Sequence, residues 1–304
     1  MQFAAGALTN VTRDHQDYHG SFEAYRDTKA AWIHSLQSVD GQPRAIYNLD
    51  DPVAAEVAAK HPGSSYTVGS AVACDLQVVR AQSTLQGNSI TLNWGDGERE
   101  LYLPLPGGFQ IQNAAVAFAG LLLMGMQPDD ILTGLSQAGA VPGRFEVVAP
   151  GQHPTVIVDY AHTPEALRRL LETCRPLVQG SLLVVFGCGG DRDRGKRSLM
   201  AATVAEFADE MVLTSDNPRH EDPERILDEV EAGVPSSQKR WHRQVERRTA
   251  IRDAVAAARN EDLVVIAGQG HENWQILGDQ RIAFDDRDEA RAALLAAQQG
   301  GGPG

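Results

Sequence analysis

Residues 182–197, LLVVFGCGGDRDRGKR, constrain this chain most. Leu182–Phe186 is wholly apolar, the pattern of a strand buried on both faces of a parallel sheet. Gly187, Gly189 and Gly190 follow at once and permit a tight loop. Asp191, Arg192, Asp193, Arg194, Lys196 and Arg197 crowd that loop with charge. A helical pattern resumes over 199–208. A charged glycine loop at the C-terminal end of a parallel strand is where open α/β sheets take their ligands.

Gly190–Lys196 fits G-x-x-x-x-G-K, most of a P-loop. However, Arg197 stands where Ser or Thr would meet magnesium, and the four residues between the glycines are all charged. A dinucleotide fingerprint fails because Arg192 occupies the third glycine position. A solvated surface turn is the plain alternative. Three glycines and four basic residues directly after a buried strand favour a site for an anionic or zwitterionic ligand.

The chain has 304 residues, enough for two domains, and 42% are hydrophobic. Its formal net charge of -13 argues against nucleic acid or an anionic membrane as the main partner. An anionic ligand therefore needs a local basic cluster, which the 187–197 loop supplies. The cysteines, Cys74, Cys174 and Cys188, are odd in number and form no C-x-x-C. Neither a disulfide framework nor a zinc site is expected, and a reducing cytoplasm fits. Cys188 reads as a small buried thiol rather than a nucleophile. No signal peptide is visible, and the apolar stretch 114–126 is too short to span a bilayer.

Residues 1–9 are small and apolar, with no recognisable first strand–loop–helix unit. Residues 10–19 concentrate Asp14, His15, Asp17 and His19. The two histidines would share a helix face, and either a solvated helix start or a magnesium site suits the composition. A helix is expected over 22–36, with Phe22, Tyr25, Lys29, Trp32 and Leu36 near one face. Lys29 there is either a snorkelling lysine or a functional amine near Asp14 and His15. Strand 45–48, helix 53–60, several short strands over 66–103 with a hairpin at 94–97, and helices 114–126 and 129–137 follow. A linker at 138–143 divides the chain into domains 1–141 and 142–304. The tail from 298 to 304 reads as disordered.

From Thr155 strands and helices alternate: strands 155–159, 182–186, 211–214 and 262–267, with helices 164–173, 199–208, 223–232, 247–258 and 288–297. This predicts a doubly wound α/β domain. The four strands end in polar clusters: Asp159-Tyr-Ala-His162, Gly187–Arg197, Asp216-Asn-Pro-Arg219 and Gly268-Gln-Gly-His-Glu272. Four such loops on one sheet edge predict a binding site. Arg192 and Arg219 suit carboxylates by their forked geometry. Asp216 and Glu272 suit an ammonium group. The residues by themselves reach a zwitterion site, with a metal and a nucleotide left open.

DYAHTPEAL (159–167), FGCGGDRDRGKR (186–197), TSDNPRHEDP (214–223) and GQGHE (268–272) resemble the Mur ligases, and within them the diaminopimelate-adding MurE type. TNVTRDHQDYHGSFEAYRDTK (9–29) and GRFE (143–146) extend the resemblance over nearly the whole chain. It implies the later part of a central ATPase domain followed by a Rossmann-like C-terminal domain. The implied activity is ATP-dependent amide formation in cytoplasmic peptidoglycan synthesis. A D-glutamyl carboxylate of UDP-N-acetylmuramoyl-L-alanyl-D-glutamate is phosphorylated, and the amine of meso-2,6-diaminopimelate displaces the phosphate. By the same resemblance Lys29 is carbamylated and binds Mg2+ with His15. Asn113, Arg144, Asp159, His162 and Lys196 contact nucleotide or phosphate, with Lys196 among the catalytic groups. Arg192, Asp216, Asn217, Arg219, Gly268 and Glu272 form the amino-acid pocket, Arg219 on the distal carboxylate. The departures are an absent UDP-sugar-binding domain, an absent G-T-x-G-K-T loop, both expected before Met1, and Gln110 in place of an asparagine. They suggest a truncated form, a non-catalytic diaminopimelate-binding module or half of a split ligase.

Overall fold

The computed structural model describes residues 3–11, 21–95, 97–152 and 154–300. The chain divides into two compact units, Met1–Gly139 and Ala140–Gly304.

The first unit runs β1 (Gly6–Leu8), α1 (Phe22–His34), β2 (Ala45–Asn48), α2 (Pro52–Ala58), β3 (Tyr66–Gly69), β4 (Leu76–Thr84), β5 (Gly87–Asn93), β6 (Glu98–Leu103), α3 (Phe109–Leu123) and α4 (Pro128–Ser136). Its sheet keeps sequence order, β1 to β6. The first four strands are parallel and β4–β6 form an antiparallel meander. Ala115, Phe118 and Ala119 of α3 cover Ile46, Val68, Leu76 and Leu92. A separate cluster joins Leu8, Ile33, Tyr47 and Val57.

Three expectations change here. A first strand does exist: β1 pairs with β2, Gly6 opposite Ala45. Three residues are too few to show alternation, and the partner lies far along the chain. Gly6 is small for a reason, since a Cβ there would meet Leu36 Cδ1 at 2.4 Å. Helix α1 stops at His34, where the Ser35 hydroxyl donates to Trp32 O at 2.6 Å. Its buried face centres on Ile33, fully buried, while Trp32 is 39% exposed and meets Phe3 edge-on. Helix α3 begins at Phe109, directly after Gly108, because Gln110, Gln112 and Asn113 lie inside its first turns.

The second unit runs β7 (Glu146–Val148), β8 (Thr155–Asp159), α5 (Pro164–Cys174), β9 (Leu182–Phe186), α6 (Lys196–Phe207), β10 (Glu210–Leu213), α7 (Pro223–Glu231), β11 (Trp241–Arg243), α8 (Arg247–Ala257), β12 (Leu263–Ala267), β13 (Trp274–Leu277), β14 (Gln280–Ala283) and α9 (Asp286–Gly300). The main sheet has the order β11-β10-β9-β12-β8-β7. All pairs are parallel except β7 on β8. β13 and β14 form a separate hairpin. β7, β11, β13 and β14 were not expected from the sequence. The helix α9 runs to Gly300, through the first part of the tail expected to be disordered.

Every residue of β9 and β12 is buried, so both faces of the sheet are covered. Leu183, Val185, Val264 and Ile266 pack on Ile251, Val255 and Leu294 of α8 and α9. The alternating set, Val184, Phe186 and Val265, faces the other way and is equally buried. α5, α6 and α7 pack in sequence, and their apolar stripes, including Leu171, Met200 and Leu227, are buried. Thr163 and Asp222 cap α5 and α7, each with proline at the first helical turn. β9 and β12 are neighbours, yet their chains continue to helices on opposite faces. That opens a crevice at their C-terminal ends, the switch point of a wound sheet. No helix among the described residues is long and apolar enough to cross a membrane.

Arg247 and Asp286 are buried beneath that crevice. Arg247 Nε and Nη2 donate to both Asp286 oxygens at 2.7 Å, and Nη2 also reaches Ala267 O at 3.1 Å. The expected outcome for Asp286→Asn is a loss of about 3–5 kcal/mol in urea unfolding, because the guanidinium is left uncompensated. The double change Arg247→Met, Asp286→Leu is expected to cost less than that single one.

Candidate functional site

The loops after β8, β9, β10 and β12 meet in a cleft of about 190 Å3. The β8 loop contributes Tyr160 and His162. The β9 loop contributes Gly189 and Arg192, with Lys196 opening α6. The β10 loop contributes Asp216, Asn217 and Arg219, and the β12 loop contributes Gly268 and Glu272. The cleft thus brings together Arg192, Lys196, Asp216, Asn217, Arg219, Gly268, Glu272 and His162 from the sequence reading. A wider hollow of about 590 Å3 lies over the β4–β6 meander. Its charged lining is already paired, Arg80 with Glu100 at 3.5 Å.

The β10 loop is held from outside by the unexpected hairpin. Ile276 N donates to Asn217 Oδ1 at 2.7 Å, and Gln275 Nε2 to Asp216 O at 2.6 Å. Arg219 N donates to Ile276 O at 3.0 Å, and Gly278 N to Arg219 O at 2.6 Å. These bonds hold Arg219 at φ 52°, in the left-handed region. Its Nη1 donates to Gly190 O at 2.7 Å, which ties the β9 and β10 loops together. Asn217 Nδ2 donates to Glu272 Oε2 at 2.8 Å, which ties in the β12 loop. Gln275 and the hairpin are parts of the cleft's frame that sequence reading missed. The signal was Gly278-Asp279 between two short runs rich in apolar residues, a hairpin-turn pattern.

The basic residues of the β9 loop sort into two kinds. Arg197 is 1% exposed and forks onto Glu221 at 2.8 and 3.0 Å, with Glu229 at 2.9 Å. Arg194 also pairs with Glu229. Both are therefore structural, which corrects their place in the expected anion cluster. Arg192 is exposed and lines the cleft, and Lys196 Nζ donates to His162 O at 2.9 Å. Cys188 Sγ lies 3.4 Å from Met200 Sδ, and burial pushes its thiol up to about 12. All three cysteines are free and buried.

Asp159 and Arg144 do not line the cleft; they organise its flank. Asp159 Oδ2 accepts from Phe145 N at 2.7 Å and Oδ1 from Ala161 N at 2.8 Å. Burial raises its carboxyl above the ordinary value, and these two donors oppose that. The Arg144 guanidinium lies 4.5 Å from the Tyr160 ring centre, and that ring also meets His162 and His271. Gly143 has φ 63°, and a Cβ there would stand 2.1 Å from the backbone of Gly270 and His271. The 143–146 turn therefore lies directly on the β12 loop.

In the first unit, Asn113 sits on α3 and donates to Gln110 Oε1 at 3.2 Å. Lys29, half-buried on α1, holds its Nζ 4.9 Å from the Tyr25 ring centre. His15 lies outside the described residues, as do Asp14, Asp17 and His19. Among the described residues no group of three His, Cys, Asp or Glu side chains is placed to hold a metal ion.

Two outcomes are expected. Gly143→Ala forces the 143–146 turn off the β12 loop, and protection of residues 268–272 in hydrogen exchange should fall. The Arg197 fork and the Asp191 amide hold the Glu221 carboxyl down at about 2, from 4.5. Its stabilising contribution is complete above 4.5 and is lost as pH falls toward 2. Denaturant midpoints of Glu221→Gln should therefore fall less steeply with acid than those of the parent.

Residues 1–121 match the Mur ligase middle domain, and residues 143–270 match the Mur ligase glutamate ligase domain. The chain is 45% identical over 298 residues to the UDP-N-acetylmuramoyl-L-alanyl-D-glutamate--2,6-diaminopimelate ligase of Synechococcus sp. (strain WH7803), covering 96% of this chain and 60% of that one. It is 44% identical over 297 residues to the ligase of that name from Syntrophomonas wolfei, covering 97% and 60%. A solved structure of a ligase of that name superposes with a TM-score of 0.67 at 36% identity, over 96% of this chain and 60% of the other. The chain thus spans about 60% of the length of these relatives. With the wound sheet, its switch-point cleft and both domain matches in hand, the chain belongs to the Mur ligase family, as a MurE-type member spanning the middle and C-terminal domains.

Proposed function

We propose that this chain takes part in the ATP-dependent addition of meso-2,6-diaminopimelate to UDP-N-acetylmuramoyl-L-alanyl-D-glutamate, in cytoplasmic peptidoglycan synthesis. The observation that carries the reading is the charge pattern of one cleft. Arg192 and Arg219 stand there with Asp216 and Glu272. A diamino diacid presents carboxylates and ammonium groups together. The guanidinium forks suit its carboxylates, and Asp216 and Glu272 suit an ammonium. The relatives that carry this ligase name cover nearly all of the chain and support the same substrates.

The chemistry follows from what the cleft does to its ligand. Arg219 is held by the hairpin and by Gly190 O, so it meets a carboxylate in a preset orientation. Gripping one end of the ligand leaves the amine of the other end to attack an activated acyl group. Before attack that amine must lose a proton, and Glu272, which lines the cleft 3.5 Å from Tyr160 Oη, is the carboxylate proposed to take it. Lys196, at the head of α6, brings a cation to the phosphate released. ATP would supply the phosphoryl group that activates the acceptor carboxylate, and the middle-domain match supports it as cosubstrate. Arg144, exposed and over the Tyr160 ring, and Asn113 are the groups proposed to hold the nucleotide. Asp159 serves it through the 143–146 turn. His15 and carbamylated Lys29 are the groups proposed to hold Mg2+.

A second reading, capture of diaminopimelate without turnover, is favoured by one observation: every residue lining the cleft belongs to the second unit. Calorimetry with meso-diaminopimelate tests what the two readings share. Arg219→Ala should weaken binding by about tenfold or more, as for a lost charge-assisted fork, and unchanged affinity removes that role. Phosphate release with ATP, Mg2+, the muramoyl dipeptide nucleotide and diaminopimelate separates the two. Turnover supports the ligase, and binding without turnover supports the module.

A further inference from the structure

Arg192 lines the cleft from an exposed loop, so something must aim it. The residue before it, Asp191, has φ 53°. A non-glycine residue stays in the left-handed region only where its neighbours over-determine it. Two ties do so. Asp191 N donates to Glu221 Oε1 at 2.6 Å, and Gly190 N donates to Asn217 O at 2.9 Å. Gly190 lies so close to the β10 loop that a Cβ would stand 1.9 Å from Pro218 O.

Glu221 is itself held by a buried group. Arg197 forks onto both of its oxygens and also donates to Gly189 O at 3.3 Å. A bidentate guanidinium–carboxylate pair fixes direction as well as distance. The Asp191 carboxylate also accepts from His220 N at 3.3 Å and lies 3.0 Å from His220 Nδ1, contacts that are much more open, with His220 65% exposed. Exposed pairs of that kind hold a loop weakly. Glu229 shares Arg197 with Glu221, and its other partner is Arg194 rather than the Asp191 amide.

We propose that Glu221, locked by the buried Arg197 fork, is a positioning residue for Arg192. It pins the strained Asp191 amide and so sets the distance between the two guanidinium groups that receive the ligand's carboxylates. The pocket role of Arg192 rests on the diaminopimelate reading above; the tie itself does not. The cleft's specificity would then depend on a carboxylate that never touches the ligand.

The test compares Glu221→Ala with Glu229→Ala in the full chain. Both remove a carboxylate from Arg197 and should lower the unfolding midpoint. Only Glu221→Ala should weaken meso-diaminopimelate binding, by about tenfold, and only it should speed hydrogen exchange in the 187–195 segment. Equal losses of affinity in the two variants, or no loss in Glu221→Ala, would overturn the proposal. If Glu221→Ala does not fold, Glu221→Met is judged by the same criteria, since a thioether of similar length gives the Asp191 N–H no strong acceptor. A parent chain that binds no diaminopimelate overturns the substrate reading instead. The exchange comparison still decides the tie: faster exchange in the Glu221 variant alone upholds it, and equal rates overturn it.

Discussion

The second unit is organised by the bidentate pair between Arg247 and Asp286, neither of which is exposed to solvent. One residue opens α8 and the other opens α9, so the pair joins two helix starts on one face of the sheet. The remaining donors of Arg247 reach Ala267 O and, at 3.4 Å, Ser215 O, where β12 ends and the β10 loop begins. Two strand ends that carry site residues are thus held by one desolvated cation. A charge in that position is tolerable only with its partner and carbonyl acceptors in place. The crevice above therefore has a rigid floor.

On that floor the walls are made by backbone hydrogen bonds more than by ion pairs. The β13–β14 hairpin contributes almost nothing to the core, with Trp274, Leu277 and Ile282 all substantially exposed. Its part is to receive Asn217 and Arg219 along one edge. Glycines do the same on the opposite side, where Gly143 and Gly270 meet backbone to backbone. These contacts leave the side chain of Arg192 turned to the cleft, while Arg219 and Glu272 line it and also tie neighbouring loops together. That division between residues that hold and residues that face the cleft is visible within one stretch of loop. Arg197 and Arg194 hold, and Arg192 faces the cleft.

The same stretch shows where reading a sequence stops. LLVVF announces a buried strand because the run is short, β-branched-rich and closed at once by glycine, and β9 is buried throughout. The alternation of strands and helices from Thr155 onward was equally legible, since each element carries its own period and caps. β7, β11, β13 and β14 were not, because strands of three or four residues have too little pattern and are stabilised by their neighbours. Arg192, Arg194 and Arg197 look alike in sequence. Which of them is buried depends on Glu221 and Glu229, two helical turns apart on and before α7. Asp159 likewise reads as a ligand contact, yet both its oxygens are spent on backbone amides.

What the sequence by itself determined was the wound α/β class of the second half, the four polar strand ends on one edge, and the opposed charges gathered there. Those follow from local period and from the rule that parallel strands present their C-terminal ends together. Tertiary structure alone decided which charges face the cleft. Burial and partner geometry, not residue type, set whether a guanidinium holds the loops or lines the cleft. Both depend on segments brought together from across the chain.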